Sequence, residues 1–451
     1  MIFSIDGTLP AMSTDEFRPL EINRRQFLGS SALNAAGVAA GMVGVGLAEN
    51  IVSFSPNNRV SVGVIGVRSQ GKTLATQLAE MPDVRVATLC DVDDRVLGIA
   101  AREVEDIQHR SVNTVRDFRK LLDNRSLDAV VIATPDHWHT VMTILACQAE
   151  KDVYLESPVS HSFRDGQRMV EIARGQRRVV QVGLQQRSGQ HFQSAIEYLR
   201  SGKLGAVRLA KAWITHRRKP IGFKKDEPTP TGVDYNLWLG PAPLRPFNPN
   251  RFHQNWRRFW DYGGGELGHW GVHLLDIARW GLDVELPTRI SSIGGKYHFH
   301  DDQETPDTQT VTYAFPGKTI VWEHRLWTQR GLEGRNAAVS FYGDRGTLVI
   351  DRGGWKAYDV PEPISCDTSE QSLAHLRNFI DCIKSRNEPV ASLETGFLSS
   401  GLCHLGNISH RVNREIRLDT NSLTIPSDRE AENLLGGISR EPWNLTAKAN
   451  S

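Results

Sequence analysis

Residues 60–71 constrain this chain more than any other segment. Val60-Ser61-Val62-Gly63-Val64-Ile65 is a short apolar run of the kind that forms a buried strand. Gly66-Val67-Arg68-Ser69-Gln70-Gly71 follows, and Leu74, Leu78 and Met81 then recur at helical spacing. A strand that turns through glycines into a helix belongs to a parallel α/β layer. Gly66 would permit the tight turn, and Gly71 would let helix and strand pack closely. The N–H groups of Val67, Arg68 and their neighbours at the helix start would face an anion such as a pyrophosphate. The middle glycine of the usual pattern is absent. Arg68 stands there, and its charge could supplement the amides.

The next elements extend the pattern. Val84-Arg85-Val86-Ala87-Thr88-Leu89-Cys90 reads as a second strand, ending at Asp91. An acidic residue about 20 positions beyond the glycine turn is placed to accept from ribose hydroxyls and to repel a 2′-phosphate, which favours NAD over NADP. The plainer alternative is a solvated turn aspartate. A third strand, Ala129-Val130-Val131-Ile132-Ala133, runs into Thr134-Pro135-Asp136-His137-Trp138-His139. Ligands of open α/β sheets bind beyond the carboxyl ends of strands, so a nicotinamide could sit near Thr134, Pro135 and His139. Asp152-Val153-Tyr154-Leu155 leads in the same way into Glu156-Ser157-Pro158. Glu156 joins the cofactor-binding candidates.

At 451 residues the chain predicts more than one domain. Lys and Arg, 53 in all, nearly balance the 52 Asp and Glu, which points away from nucleic acid as a partner. The five cysteines lie far apart with no Cys-x-x-Cys pair, leaving room for one disulfide that spacing does not choose. Near the N-terminus, Asn23-Arg24-Arg25-Gln26-Phe27-Leu28 opens an uncharged run, 29–48, rich in Gly and Ala. It reads as a twin-arginine export signal, and so implies the export machinery as a partner and a periplasmic or otherwise exported protein. An uncleaved run would stay as a membrane anchor, although its glycines, Ser30, Ser31 and Asn34 make it a poor lipid span. The resulting partition is a signal and linker over 1–50, a nucleotide-binding domain over 58–186 and a second domain over 187–451.

The order of motifs resembles the Gfo/Idh/MocA oxidoreductases, the glucose–fructose oxidoreductase and inositol dehydrogenase group. The matching blocks are Gly63-Val64-Ile65-Gly66, the 133–139 and 154–158 segments, Val182-Gly183-Leu184-Gln185-Gln186-Arg187, Trp238-Leu239-Gly240-Pro241 and Gly263-Gly264-Gly265-Glu266-Leu267-Gly268-His269-Trp270-Gly271-Val272-His273. Near the C-terminus, His404-Leu405-Gly406-Asn407-Ile408 and Ser427-Asp428-Arg429-Glu430-Ala431 resemble the exported branch. The resemblance implies an α/β fold, with an N-terminal Rossmann domain and a C-terminal α/β domain on a large, mostly antiparallel sheet. It also implies a small carbohydrate substrate and a homo-oligomer. Strand-like stretches at 207–217, 289–299, 308–315 and 319–327 agree, as do hairpin signals at Pro316-Gly317 and 343–346.

In such enzymes a lysine from Glu-Lys-Pro works with an Asp and a His spaced i, i+4. Oxidising an alcohol needs a base for the hydroxyl proton while hydride leaves for nicotinamide. Here His273 matches the histidine, Ser157 stands at the lysine position beside Glu156, and His269 stands at the aspartate position. His269 could replace the aspartate in an acid/base pair, could join His273 and Glu266 as a metal set, or could simply pack or bind substrate. Trp256, Trp260 and Trp270 are candidates for a sugar-stacking wall. The implied activity is an NAD(P)-dependent oxidoreductase on a sugar, polyol or glycoside with a retained, recycled cofactor. The alternatives are a non-catalytic sugar- or nucleotide-binding protein and an enzyme cleaving glycosides through transient oxidation.

Overall fold

The computed structural model describes residues 59–360, 365–437 and 439–444. The export signal read at 23–48 lies outside them. Six strands, β1 (Val60–Ile65), β2 (Val84–Cys90), β3 (Asn113–Val115), β4 (Ala129–Ile132), β5 (Asp152–Leu155) and β6 (Val180–Val182), form a parallel sheet in the order β3-β2-β1-β4-β5-β6. β4 and β5 are buried along their whole length, because helices cover both faces. The order reverses at β1/β4, which opens a crevice at the carboxyl ends of these strands.

The second sheet has nine strands: β7 (Leu209–Thr215), β8 (Arg289–Gly295), β9 (Thr308–Phe315), β10 (Lys318–Arg325), β11 (Ala337–Gly343), β12 (Gly346–Asp351), β13 (Gly354–Tyr358), β14 (Ser365–Asp367) and β15 (Ile416–Arg417). Their order is β14-β13-β12-β11-β7-β10-β9-β8-β15. All pairings are antiparallel except β7 with β10. Both parts of the expected fold class are present. β9 alternates buried and open positions, so one face packs on helices Val272–Leu282 and Leu393–Val412 while the other is open, with Ile293 74% exposed.

β8 is shorter than the 289–299 stretch predicts. It stops at Gly295 because the Asp307 carboxylate captures the next N–H groups, those of Tyr297 (3.1 Å), His298 and Phe299 (both 2.8 Å). Helix Ser372–Ser385 comes late in the chain yet covers the first sheet. Its Leu376, Phe379 and Ile380 share a core with Val62, Leu89 and Tyr154, and its Arg377 and Lys384 both hold Asp83. All five cysteines are free.

Two motif blocks join the halves. The Trp238 carbonyl accepts from Trp138 Nε1 at 3.0 Å and lies 3.1 Å from His137 Nε2. Gly240, at φ +47, lets that turn lie against the Trp138 ring, since a Cβ there would sit 2.0 Å from it.

Candidate active site

A cleft of about 480 Å³ opens beyond β1, β2, β4 and β5. Its wall contains Gly66, Arg68, Asp91, Thr134, Pro135, His139, Glu156, Ser157, His269 and His273, so the fold brings these sequence candidates together. Val67 and Gly71 serve it from behind. Val67 is buried outside the wall and gives its N–H to Asp91 Oδ2 at 2.9 Å, so, against expectation, that donor is taken by the strand-end acid rather than left to face an anion. A Cβ at Gly71 would lie 1.7 Å from the Gly66 carbonyl oxygen, so the helix can start this close to the strand only with glycine.

These residues fit a dinucleotide. Ser69, which precedes helix Gln70–Ala79, makes no side-chain cap to its first turn, leaving that helix start to an anion. Arg68 lies in the wall beside it. Asp91 is locked in place, its Oδ1 accepting from Asp93 N at 3.1 Å. Burial pushes its carboxyl up to about 6, against the pull of those N–H donors. His139 braces the wall, with Nδ1 2.6 Å from the Pro158 carbonyl and Nε2 2.9 Å from that of Thr134. Phe118 and Trp138 also line the cleft and are backed by Trp443 from the C-terminal segment, its ring 4.8 Å from that of Trp138.

At the other end, Ser157 Oγ lies 3.4 Å from His273 Nε2. His273 lies in the first turn of helix Val272–Leu282, while His269 sits in the π turn, Leu267–Gly271, that precedes it. Such turns recur at functional sites because they re-aim side chains. The turn is held from below, where Asn407 Nδ2 on the long helix donates to the Gly264 carbonyl at 2.8 Å. Behind it Arg187 grips the buried Asp276 with two bonds, of 2.8 and 2.9 Å. Burial, then the Arg352 guanidinium, holds His273 down at about 3. Burial, then Arg257 and Arg218, holds His269 well below its ordinary value. Both are neutral near pH 7, and neither Nδ1 has a partner.

Glu156 behaves oppositely. Burial lifts its carboxyl to about 7, although Gln70 Nε2 donates to it at 3.1 Å and the Ser157 N–H at 3.4 Å. Glu266 does not join the histidines. Its carboxylate accepts from Arg218 at 2.6 Å, and among the described residues no group of three or more His, Cys, Asp or Glu converges as a metal site. Of the three candidate tryptophans, Trp256 and Trp270 line the cleft and Trp260 does not. The Trp260 carbonyl instead lies 2.8 Å from His161 Nε2.

Arg257 and Arg352 also line the cleft, and sequence reasoning missed them. Arg352 lies in the turn between β12 and β13, where nothing local marks it. The signal for Arg257 was the basic pair between the tryptophans in Trp256-Arg257-Arg258-Phe259-Trp260.

Comparison with known proteins agrees with this architecture. Two family models match, described as "Oxidoreductase family, NAD-binding Rossmann fold" over residues 60–184 and "Oxidoreductase family, C-terminal alpha/beta domain" over 223–445. A "Glycosyl hydrolase family 109 protein" of Saccharopolyspora erythraea is 28% identical over 233 residues, which are 48% of this chain and 50% of that one. The chain thus spans about half the length of that relative. A "Myo-inositol 2-dehydrogenase" of Thermotoga maritima is 21% identical over 79% of this chain and 98% of its own. Among solved structures, an aldose-aldose oxidoreductase from Caulobacter crescentus, complexed with glycerol, superposes with a TM-score of 0.61 at 19% identity, covering 80% of this chain and all of that one.

Proposed function

Because the chain belongs to the Gfo/Idh/MocA family of NAD-binding oxidoreductases, we propose that it oxidises a hydroxyl of a sugar, polyol or glycoside outside the cytoplasm, with a nicotinamide cofactor that it retains. The carrying observation is that one cleft runs from the glycine turn and Asp91 to the Ser157–His273 contact. Bound there, NAD or NADP would accept hydride from the substrate carbon. The Asp91 carboxylate favours NAD, since it would meet a 2′-phosphate with like charge.

The side chains supply the rest. Ser157 Oγ and neutral His273 Nε2, 3.4 Å apart, can share the substrate hydroxyl, with the imidazole taking its proton. Serine brings no positive charge at the position where the family resemblance implies lysine. Arg352 and Arg257 in the same wall can stabilise the developing alkoxide instead. The Glu156 carboxyl, at about 7, is matched to exchange a proton near neutral pH. A protein carrying the 23–48 export signal would find little free dinucleotide outside the cytoplasm, which favours a cofactor bound before export and restored within each cycle by return of hydride to the carbonyl of a second sugar. The Trp443 backing of Phe118 and Trp138 supports such retention.

A second reading is glycoside cleavage through transient oxidation, favoured by the glycosyl hydrolase name of the Saccharopolyspora relative. It would oxidise a ring hydroxyl, lose the proton α to the new carbonyl as the aglycone departs, add water to the enone so formed, and return the hydride to the carbonyl, which restores the cofactor. One experiment tests both. The purified protein is denatured and its supernatant examined by mass spectrometry, and the intact protein is then screened against sugars and aryl glycosides by nicotinamide absorbance and aglycone release. Absence of nucleotide refutes the retained cofactor. Turnover that survives His273→Ala refutes the assigned base. Bound nucleotide without any turnover leaves a binding protein.

A further inference from the structure

The charges at the catalytic end of the cleft do not balance. Most arginines around it are matched: Arg218 with Glu266 (2.6 Å), Arg187 with Asp276 (2.8 Å), Arg245 with Asp261 (2.7 Å), and Arg116 with Asp94. Arg68, Arg257 and Arg352 are the exceptions in the wall, since among the described residues none has a carboxylate within ion-pair distance; Arg68 stands in the glycine turn, which leaves Arg257 and Arg352 for the other end. Arg257 Nε is buried with no hydrogen-bond partner. Each guanidinium instead lies over a tryptophan of the same wall, Arg257 5.3 Å from the Trp256 ring centre and Arg352 4.7 Å from that of Trp270. Trp270 is next in sequence to His269, which feels both guanidinia, so this is the catalytic end rather than the pyrophosphate end.

A guanidinium stacked on an indole keeps its N–H edge free, and that edge matches a carboxylate in a way an ammonium does not. The tryptophan faces suit the C–H face of a pyranose. Of the acids these guanidinia feel, Glu266 is already committed to Arg218, while Asp136 and Glu156 are pushed toward their neutral forms by burial, so the excess stands near pH 7. They would still oppose a dianion more than a monoanion, which favours a carboxylate over a phosphate.

We propose that this end of the cleft selects a carbohydrate bearing a carboxylate, a uronic or aldonic acid, received by Arg257 and Arg352 while a substrate hydroxyl meets Ser157 and His273. The inference rests on the oxidoreductase reading for its chemistry but not for its binding, and adds no step to the reaction. It carries a consequence for the base. A carboxylate that offsets Arg352 removes one cause of the weakness of His273, so the acid substrate raises the basicity of the group that takes its proton.

The test uses the full protein with its own cofactor. Binding of D-galacturonate, D-galactose, D-gluconate, D-glucose and galactose 6-phosphate is followed by tryptophan fluorescence, and turnover by nicotinamide absorbance. Each acid is expected to bind about tenfold or more tightly than its neutral counterpart, the scale of a charge-assisted hydrogen bond. Arg257→Gln and, separately, Arg352→Gln should weaken each acid about tenfold more than its neutral counterpart, which erases the preference, while leaving cofactor content at the wild-type value. Arg257→Lys should restore it only in part. Neutral sugars binding as well as acids, the sugar phosphate binding best, or variants weakening both classes alike would each overturn the proposal. Acid-selective binding with neither an absorbance change nor any chemical conversion of the sugar would sustain it and refute the oxidoreductase reading. Unselective turnover would do the reverse.

Discussion

Replacing Glu156 by Gln tests the electrostatics of the cleft directly. The carboxyl is pushed from an ordinary 4.5 to about 7 by burial, and its donors, at 3.1 Å from Gln70 and 3.4 Å from Ser157 and Gln185, are too long to offset that. The folded protein therefore holds this proton more tightly than the unfolded chain does. As pH rises past 4.5 the unfolded chain ionises first, so this group's contribution to stability declines until about pH 7 and is level above. At about 1.4 kcal/mol per pH unit the displacement amounts to about 3 kcal/mol. Glu156→Gln cannot ionise, so its stability relative to wild type should climb by about 3 kcal/mol across that window. The variant's amide donor would face the Ser157 N–H, but that cost is independent of pH and displaces the whole curve. The measurement is equilibrium urea unfolding of both proteins over one buffer series. Curves that stay parallel from 4.5 to 7 would refute the reasoning, because they would mean the carboxyl is solvated like a surface glutamate.

Other outcomes follow from the same geometry. Gly71→Ala places a methyl 1.7 Å from the Gly66 carbonyl oxygen, so the phosphate turn must open, and mass spectrometry should find the variant depleted of nucleotide. Asp276→Asn leaves Arg187 buried without its charge partner and should cost about 3–5 kcal/mol in urea unfolding, with loss of turnover as the histidine helix shifts. Burial depresses His137, His273 and His404 to about 3 and His253, His324 and His375 to about 4. The unfolded chain therefore takes up protons first as pH falls below 6.5, and stability should drop steadily from there toward pH 4, opposite in direction to the Glu156 effect. Chelation should leave turnover unchanged, because Glu266 is committed to Arg218 and not to His269 and His273.

What the sequence determined by itself is local or periodic. The apolar run 60–65, the glycines at 66 and 71 and the acid at 91 specify a strand, a turn with no room for a side chain and a second strand end, because each requirement is met within a few residues of the chain. The ordered blocks extended this to both domains and to His269, His273 and Ser157 as the chemical end. The sequence did not mark where β8 stops, because the carboxylate that ends it, Asp307, is supplied from the far side of a loop. Nor did it show that helix Ser372–Ser385 returns to cover the first sheet.

Tertiary structure alone decided the charge of the site. Arg352 reaches the cleft from a hairpin turn nearly 200 residues beyond Glu156, and Arg257 from a single turn of 3-10 helix, Asn255–Arg258. Glu266, three residues from His269 and plausible as its partner on paper, is turned away by Arg218. Ionisation follows from which groups share a low-dielectric space and which already have partners, and that depends on packing between segments far apart in the chain. The residue types at 156, 157, 269 and 273 could be read in order along the sequence. Whether they are charged, and what they face, is set by the fold around them.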